Sequence, residues 1–322
     1  MIAGFLVVDK PAGITSHDVV SVLRAVFGIK KIGHTGTLDP FATGVLPMAI
    51  GHATRLIQFL DEEVKVYQGT IRLGIKTDTG DLDGEVTEQK PVPPLEPVDL
   101  DATLRGFLGV RSQVPPSYSA VKVEGKALYK YAREGKEVKA AARMIRIDKV
   151  ERLSMTDDTL EIRVQCGPGT YIRTLAEEIG EALGSCGHLV SLRRLRSGPF
   201  DLNQPVDFET LSMEVSGQSD WRASLRPPRG VKRLPWKDRA EVVDALLPRL
   251  VDPSEALSHL PMADLDAAAQ RLLQLRGVVQ DIPDEVVDGG LWRVSVEGRM
   301  RGVIKRDGDI GRVARMLPDP HA

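Results

Sequence analysis

Cysteine is scarce in this 322-residue chain, and long apolar runs are missing from it. Two cysteines, Cys166 and Cys186, are too few for a disulfide scaffold, and no CxxC pair or Cys/His cluster indicates a zinc site. No apolar stretch approaches the roughly 18–20 residues that a membrane span requires. The opening residues, MIAGFLVVDK, lack the basic region of a secretory signal peptide. We therefore expect a cytoplasmic protein that does not enter a membrane.

Net charge is nearly absent as well, because 43 Lys and Arg stand against 45 Asp and Glu and leave −2 at pH 7. Taken alone, that sum argues against a protein that binds nucleic acid, since such proteins are usually basic. The charges are segregated along the chain, however. Residues 105–149 carry eleven basic and four acidic residues, residues 222–239 carry seven and one, and residues 78–101 carry one and eight. Two basic blocks are thus hidden in a neutral total, and nucleic acid is not excluded.

The pattern of apolar residues predicts an α+β fold. Hydrophobic residues make up 42% of the chain, as in an ordinary globular protein, and the length suggests about two domains. Short apolar or alternating segments predict strands over 4–8, 64–74, 145–153 and 161–166. Helical spacing and capping residues predict helices from Thr15 or Ser16 to Gly28, over 53–60 and over 174–183. The acidic, proline-rich residues 78–101 are predicted to form a solvated loop.

A different pattern begins near Asp252. A helix is predicted over 265–275, and short strands follow it, separated by hairpin turns at Glu297-Gly298 and Arg306-Asp307-Gly308. We therefore predict a large domain over 1–250 and a small α+β or barrel-like domain over 251–322. Residues 213–250 fit neither part and are predicted to be an insertion, either a connector or an extension of the basic surface.

The glycine- and proline-rich stretch GHTGTLDPFATGVLP, residues 33–47, shows neither helical nor strand periodicity. A long loop of this kind inside a compact domain is usually functional. It can hold the carboxylate of Asp39 in an apolar pocket as a nucleophile or base, with Thr35, Thr37 and Thr43 nearby. An ordinary Asp-Pro turn is the alternative. The glycines match neither GxxxxGK[ST] nor GxGxxG, so a phosphate-binding loop is not indicated.

Aromatic and basic residues alternate within the basic block 105–149. The rings are those of Tyr118, Tyr129 and Tyr131, and the cations among them are Lys122, Lys126, Lys130 and Arg133. This mixture suits a nucleic-acid surface, where cations meet phosphates and rings stack on exposed bases. A solvated helix face is the alternative, and the pattern alone does not decide between them.

Several motifs together resemble the TruB family of tRNA pseudouridine synthases. GHTGTLDPFATGVL, residues 33–46, is similar to the catalytic loop of that family. Other segments agree with the family in the same order along the chain: DKPAGITSHDVV (9–20), KVY with RLG and TDTGD (65–81), PPSYSAVKVEGKALYKYAREG (115–135), CGPGTYIRTLAEEIG (166–180) and His188 to Arg194. The resemblance spans residues 4–200 and is far more specific than a short pattern match.

The resemblance implies roles for individual residues. Asp39 would be the essential carboxylate, Tyr67 would stack on the target base, and Arg173 would pair with Asp39 and keep it ionised. Leu192 would form an apolar wall of the pocket, and His34 would support the distorted RNA loop. The other substrate-binding residues implied by the motifs are Thr37, Tyr171, Tyr118, Lys122, Lys126, Lys130 and Arg133.

The resemblance also implies the reaction, the partner and the fold. An enzyme of this family isomerises uridine to pseudouridine, here in the T-loop of tRNA at position 55, after flipping the base at a cost of a few kcal/mol. We expect no cofactor, no metal and no obligatory protein partner. The implied catalytic domain, 1–250, has a mixed, mainly antiparallel sheet flanked by helices. A PUA-like RNA-binding β-barrel over 251–322 would follow it.

Two other functions remain open from the sequence. A tRNA-binding chaperone that unfolds and refolds tRNA would use the same basic surface with little or no catalysis. A nucleoside or glycoside hydrolase would also use Asp39, but such enzymes usually need a second catalytic carboxylate, and none lies in the motif around Asp39.

Overall fold

The computed structural model describes residues 2–60, 64–216, 239–280 and 282–318. The strands before residue 208 are β1 (Ala3–Lys10), β2 (Ile32–His34), β3 (Thr43–Gly51), β4 (Lys65–Leu73), β5 (Ile75–Thr77), β6 (Val86–Gln89), β7 (Gly109–Gln113), β8 (Lys122–Val123), β9 (Lys126–Ala127), β10 (Arg143–Met155), β11 (Thr159–Cys166), β12 (Gly187–Ser197) and β13 (Val206–Asp207). The strands after it are β14 (Met262–Asp264), β15 (Val278–Val279), β16 (Leu291–Val296), β17 (Arg299–Asp307) and β18 (Ile310–Met316).

The α-helices are α1 (Ser16–Phe27), α2 (Pro97–Arg105), α3 (Leu128–Arg133), α4 (Ile172–Ala182), α5 (Phe208–Ser216), α6 (Arg239–Leu246), α7 (Pro253–Ala256) and α8 (Ala267–Arg276). Two segments, His52–Phe59 and Leu247–Arg249, are 3-10 helices. The segment predicted as a helix over 53–60 is therefore a 3-10 helix. Among the described residues, no helix has the length and apolar character needed to cross a bilayer.

Nine strands form one mixed sheet in the order β13-β1-β3-β12-β4-β11-β10-β7, with β2 paired to β3. The β1–β13 and β3–β12 pairs are parallel, and the other pairs are antiparallel. The predicted α+β fold with a mixed, mainly antiparallel sheet is confirmed. Strand β12 lies between β3 and β4, although it follows both by more than a hundred residues. Its residues are therefore neighbours of both earlier strands.

The alternation predicted over 64–74 is present in β4. Residues Tyr67, Gly69, Ile71 and Leu73 are buried, and the residues between them are partly exposed. Side chains of a strand point alternately to its two faces, so Tyr67 shares the covered face with the core.

Helix α1 begins where the sequence places it. Thr15 and Asp18 form a reciprocal capping box, and Gly28 ends the helix in the left-handed conformation with a φ of 67°. Its buried face, which includes Val19, Leu23 and Val26, packs into the main core. The cap and the helical spacing therefore fix the helix at 16–27 and bring its first turn against the Asp39 loop.

The acidic segment 78–101 is only partly the solvated loop that its composition predicts. Strand β6 pairs with β5 in a small hairpin, and α2 begins at Pro97. Leu100 and Leu104 of α2 are fully buried, one helical turn apart. The expectation was wrong here because two leucines at helical spacing are enough to dock a helix even in an acidic, proline-rich segment.

The C-terminal strands form a separate mixed sheet in the order β14-β16-β17-β18-β15. It has its own small core around Trp292, which is fully buried. A Cβ atom at Gly311 would lie 2.2 Å from the Trp292 ring, so only glycine fits beside it. Both predicted hairpin turns are present, and α8 ends at Gly277 as expected. This sheet fits the predicted PUA-like barrel.

Residues of the C-terminal region cover the second face of β1 and β3. Met300 and Val303 pack with Phe5, Val45 and Leu56 in one buried cluster. Val251 exchanges two backbone hydrogen bonds with Phe5, at 2.9 and 2.7 Å. The boundary at residue 250 stays a prediction. Most of the predicted insertion 213–250, and nearly all of the basic block 222–239, lies outside the described residues.

Candidate active site

The start of α1 stabilises the loop that carries Asp39. The hydroxyl of Ser16 accepts a hydrogen bond from the Leu38 amide at 2.9 Å and donates one to the Leu38 carbonyl at 3.1 Å. The Gly13 amide donates to the Pro40 carbonyl at 2.8 Å. The backbone of both residues that flank Asp39 is therefore fixed by hydrogen bonds, to the Ser16 hydroxyl at Leu38 and to the Gly13 amide at Pro40. A carboxylate held in this way loses little entropy when it acts on a substrate.

Lys10 supports the same loop from the end of β1. Its ammonium group is buried and donates to three backbone carbonyls, those of Pro11, Pro40 and Ala42, at 3.0, 3.1 and 2.7 Å. Burial lowers the pKa of Lys10 from 10.5 to about 8, against the attraction of Asp39. Lys10 thus stabilises the loop through its hydrogen bonds and also places a positive charge near Asp39.

The structure brings together Asp39 and Arg173, which are 134 residues apart in the sequence. The Arg173 guanidinium donates from Nε to Asp39 Oδ2 at 2.9 Å and from Nη2 to Asp39 Oδ1 at 3.2 Å. This two-point geometry is the strong form of an arginine–carboxylate pair. Arg173 lies in the first turn of α4 and is only 4% exposed, whereas 33% of the Asp39 side-chain surface remains accessible. The carboxylate therefore faces an opening that the guanidinium does not.

Arg173 has further partners on two other segments. It donates to the Thr79 carbonyl at 2.7 Å and to the Tyr118 carbonyl at 2.8 Å, and Asp81 Oδ2 lies 3.6 Å from its Nη1. Asp81 is itself buried and accepts from the Thr79 hydroxyl at 2.6 Å. One guanidinium therefore joins the Asp39 loop, the turn after β5 and the start of the basic 115–135 segment.

The pKa of Asp39 is raised above its ordinary value. Burial is the main cause, and the negative charge of Asp81 adds to it, while Arg173 and Lys10 oppose the rise. Such a carboxylate is a better base and nucleophile than one in water, and the adjacent guanidinium favours its ionised form.

Tyr67 and Leu192 lie on the neighbouring strands β4 and β12, and β12 also pairs with β3 at Thr43 and Gly44, where the Asp39 loop ends. Tyr67 of β4 is opposite Arg194 of β12, and Leu192 is opposite Gly69, two residues along on the same face. Tyr67 and Leu192 are 8% and 7% exposed, so both are mostly buried. Burial raises the pKa of the Tyr67 phenol, and the positive charge of Arg194 opposes that rise.

Two residues predicted at the substrate surface lie in the same loop region. His34 ends β2 and is half-buried, with its Nδ1 enclosed and unpartnered in the structure. Burial and the charge of Arg194 lower the pKa of His34, which favours its neutral imidazole. Thr37 is exposed two residues before Asp39. Their roles toward RNA stay predictions.

The basic 115–135 segment forms a small hairpin, β8–β9, followed by α3. Lys122, Lys130 and Arg133 are exposed, while Lys126 is paired with Glu134 and lies 4.5 Å over the Tyr131 ring. Arg133 lies 5.4 Å over the Tyr129 ring. The interleaved rings and cations therefore contact each other in part, and Lys122 and Lys130 are the more accessible cations.

Tyr118 and Tyr171 anchor this segment. The Tyr118 hydroxyl donates to Asp78 at 3.4 Å, and its carbonyl binds Arg173. Tyr171 exchanges two hydrogen bonds with Gln113, at 2.8 and 3.1 Å, and packs against the small core of Val121 and Leu128. Contact of either ring with RNA stays a prediction.

Sequence reasoning assigned no role to Lys10, Asp81 or Arg194. Each is charged yet buried, and each lies within or beside a motif that carries the family resemblance. A buried charge needs a partner, and these three find theirs around the Asp39 loop. Within the described ranges, His, Cys, Asp and Glu form no group of three that could hold a metal ion, and the expectation of a metal-free reaction stays a prediction.

Comparison with known families gives two adjoining matches. Residues 24–172 match the TruB family pseudouridylate synthase (N terminal domain), and residues 173–257 match the tRNA pseudouridylate synthase B C-terminal domain. Their junction lies directly before Arg173. The matched region includes Asp39, Tyr67 and Arg173.

Solved structures share the fold. The chain superimposes on the crystal structure of a Cbf5-Nop10-Gar1 complex with a TM-score of 0.70 and 24% identity, covering 98% of this chain and 85% of that one. For the archaeal box H/ACA sRNP Nop10-Cbf5 complex, the TM-score is 0.67 at 22% identity, with 98% and 86% coverage. At these identities, the likeness concerns the fold alone.

Curated relatives are much closer in sequence, and each is named tRNA pseudouridine synthase B. The protein of Aromatoleum aromaticum is 41% identical over 309 residues, 96% of this chain and 90% of the relative. That of Geobacter sulfurreducens is 40% identical over 314 residues, 98% and 93% of the two chains. That of Chromohalobacter salexigens is 43% identical over 272 residues, 84% and 80%. With such relatives over nearly its whole length, the chain belongs to the TruB family of pseudouridylate synthases.

Proposed function

We propose that this protein isomerises uridine to pseudouridine in tRNA, at the T-loop uridine of position 55. The observation that carries the proposal is the two-point pair of Asp39 and Arg173, in which Asp39 stays partly accessible. Tyr67 and Leu192 lie on β4 and β12, and β12 pairs with β3 where the Asp39 loop ends. The names of the relatives, tRNA pseudouridine synthase B, support tRNA as the substrate. We further propose that it acts on the T-arm without an obligatory protein partner, and the likeness of its motifs to the TruB family supports T-loop selectivity.

The chemistry needs one ionised carboxylate in a pocket that excludes water. The N1–C1′ bond breaks, the uracil turns, and a C5–C1′ bond forms, after which the proton on C5 moves to solvent or to the base. No electrons are gained or lost. Asp39 is suited to attack the sugar, to add to the base or to promote elimination to a glycal, because all three require a basic oxygen at one fixed place. Arg173 keeps that oxygen ionised as the pocket closes over the base.

The base reaches Asp39 only after it leaves the T-loop. Extrusion costs a few kcal/mol, and stacking on an aromatic ring returns about 1–3 kcal/mol per base. Tyr67 provides the ring, Leu192 the apolar wall, and His34 a group that fills the space left in the RNA. The basic 115–135 segment adds phosphate contacts, which together with stacking offset the extrusion.

The proposal is tested by incubating the protein with an unmodified tRNA transcript and mapping pseudouridine at each position. Conversion at one T-loop uridine is expected, and a transcript with cytidine at position 55 should remain unmodified. Binding of tRNA without any pseudouridine would leave the chaperone function. Because Asp81 supplies a second carboxylate near Arg173, free uracil is measured too, and its release would indicate a hydrolase.

The basic 115–135 segment is expected to carry much of the salt-dependent affinity. Each phosphate contact contributes about 0.7–0.9 to the slope of log affinity against log salt. Replacing Lys122, Lys126 and Lys130 by Ala should flatten that slope by about 1.4–1.8, the value for two contacts, because Lys126 is already paired with Glu134.

Filter binding of tRNA at several salt concentrations measures this slope. Lys90→Ala is the control, since Lys90 lies in the acidic 78–101 segment and pairs with Glu88 at 2.9 Å. An unchanged slope in the triple variant would mean that the segment is a solvated face and does not hold phosphates.

A further inference from the structure

Gln113 is a buried side chain at the edge of the main sheet, and the proposed reaction does not use it. It ends β7, where its backbone is opposite Arg143 of β10, and it is 2% exposed. A buried amide costs free energy unless its donor and its acceptor both find partners. Gln113 finds both on one residue. The Tyr171 amide donates to its Oε1 at 2.8 Å, and its Nε2 donates to the Tyr171 carbonyl at 3.1 Å.

These two bonds fix the residue from which α4 begins. Tyr171 directly precedes Ile172, the first residue of α4, and its carbonyl also accepts from the Leu175 amide at 3.1 Å. Between the described residues 171 and 175, the Tyr171 side chain makes no capping hydrogen bond. Gln113 therefore connects the backbone at the start of the helix to the edge of the sheet.

The link between β11 and α4 is short and rich in glycine. It consists of residues 167–171, GPGTY, and Gly169 has a φ of 78°. Glycine has more conformational freedom than any other residue, so this link alone restrains the direction of α4 only weakly. The two bonds from Gln113 add a restraint at the end of the link, where the helix starts.

Arg173 is the second residue of the helix that Gln113 holds. Its guanidinium makes the two-point pair with Asp39, and its Nη2 also donates to the Tyr118 carbonyl at 2.8 Å. Gln113 and Tyr118 are five residues apart, so the chain that leaves β7 contacts the start of α4 twice. One contact reaches the backbone of Tyr171, and the other reaches the Arg173 side chain. A shift of Tyr171 would therefore move the guanidinium relative to Asp39.

We propose that Gln113 is a positioning residue, whose amide holds the start of α4 so that the Arg173 guanidinium meets Asp39 at two points. This role rests on the proposed function, because it assigns Asp39 and Arg173 to the reaction. Gln113 acts through Arg173, and its own side-chain hydrogen bonds go to Tyr171. The amide carries no charge, so its effect is on the geometry of the site.

Gln113→Met tests this role with an unbranched side chain of similar length that has no strong donor or acceptor. We expect kcat to fall between about 10- and 100-fold, the upper figure being the cost of misplacing a catalytic group by about 1 Å, with KM and tRNA affinity changed less than about threefold. Gln68→Met is the matched control. Gln68 of β4 donates to Glu161 at 2.8 Å and lies on the strand face opposite Tyr67, so its kcat should change by less than about threefold.

The split between kcat and KM and a double-mutant cycle test for a merely structural role. If Gln113→Met only destabilised the basic 115–135 segment, tRNA binding would weaken while kcat stayed within about threefold of wild type, and the proposal would be overturned. If Gln113 acts through Arg173, Gln113→Met should lower kcat much less in Arg173→Lys, which already lacks the two-point geometry. Additive effects of the two substitutions would also overturn the proposal.

Thermal unfolding of each variant confirms that folded proteins are being compared. If Gln113→Met does not fold, Gln113→Glu replaces it in both tests. Its carboxylate still accepts from the Tyr171 amide, but it presents an acceptor to the Tyr171 carbonyl where the amide of Gln113 donates. We expect kcat to fall about tenfold at neutral pH, and a wild-type kcat in Gln113→Glu would overturn the proposal.

A measurement without substrate distinguishes failure of this role from failure of the proposed function. In protein labelled with ¹⁵N on arginine, the Nε–H resonance of Arg173 is assigned by its loss in Arg173→Lys. Gln113→Met should shift that resonance and speed the exchange of its proton with water, because the bond from Nε to Asp39 is weakened. Gln68→Met should change neither. An unmoved Arg173 resonance overturns the role of Gln113 even if the wild type forms no pseudouridine, and absence of pseudouridine alone overturns only the proposed function.

Discussion

Asp39→Asn is expected to abolish pseudouridine formation, with kcat reduced by roughly 10⁴-fold or more, as when one essential group is removed from a catalytic unit. The amide has nearly the same shape and still accepts one hydrogen bond from Arg173. It lacks the negative charge that attacks, adds or abstracts. Chromatographic separation of pseudouridine from uridine after digestion of the tRNA, in single-turnover reactions, checks the rate, because the two isomers have the same mass.

Binding of tRNA should survive this substitution. The 115–135 segment and the C-terminal sheet are untouched, so the affinity should stay within about threefold of wild type. Asp83→Asn is the matched control. Asp83 lies two residues after Asp81 and is exposed, and its backbone amide, not its side chain, bonds Asp81. Residual pseudouridine above a few per cent of the wild-type rate would contradict the role of Asp39.

The stability of Asp39→Asn gives a second readout with a definite sign. Burial raises the pKa of Asp39 in the folded protein, so the folded state binds its proton more tightly than the unfolded state does. The free energy of unfolding therefore falls as the pH rises from the unfolded pKa through the folded one. Asn resembles the protonated carboxyl and avoids this loss, so the variant should be at least as stable as wild type at neutral pH. The difference in the free energy of unfolding between the variant and wild type should vanish at acidic pH. Denaturant unfolding at neutral and at acidic pH measures it.

The strands and helices whose sequence pattern matches their burial could be predicted. Alternation placed Tyr67 on the covered face of β4, and a capping box with a terminal glycine fixed α1. The pattern failed where few residues carry the signal. Leu100 and Leu104 dock α2 within an acidic segment, and two such residues do not outweigh its charge and proline content.

The residues of the candidate site likewise divide into those that the sequence reveals and those that it does not. The Asp39 loop was found because its fourteen-residue motif is specific, and Arg173 and Tyr67 followed from the resemblance. Arg194 and Lys10 could not be found from pattern, because a charged residue in a strand is predicted to face solvent. Their partners are backbone carbonyls of the loop, and only the placement of β12 between β3 and β4 brings Arg194 to them.

Net charge is also misleading here, for a structural reason. The basic 115–135 segment and the acidic turn after β5 meet at Arg173, which binds the Tyr118 carbonyl, the Thr79 carbonyl and Asp39. Opposite charges in the sequence are thus neighbours around the site. A neutral total is therefore compatible with a basic surface on the 115–135 segment beside the carboxylates of Asp39 and Asp81, which both lie near Arg173.

Arg173→Met is expected to lower kcat by roughly 10²–10³-fold, the scale for losing one preorganised charge in a closed site. The variant also leaves Asp39 and Asp81 without their shared cation. Arg173 is the largest influence that opposes the raised pKa of Asp39, so that pKa rises further without it. If the ionised form of Asp39 is the active one, the acid limb of kcat should move to higher pH. Single-turnover rates between about pH 5 and 9 measure that limb.

Two variants make the Arg173 result specific. Arg111→Met removes another arginine paired with α4, through Glu178 at 3.1 Å, and should leave both kcat and its acid limb unchanged. Arg173→Lys retains a cation without the two-point geometry, so its acid limb should stay near that of wild type while kcat falls. Arg173→Met should also lose stability, because the buried Asp81 is left without its cation. The loss should be at most about 3 kcal/mol, the lower end for a broken buried pair, since Asp39 is partly exposed. An acid limb that does not move in Arg173→Met would mean that Arg173 orients Asp39 without keeping it ionised, since orientation alone does not depend on the pKa of the carboxyl.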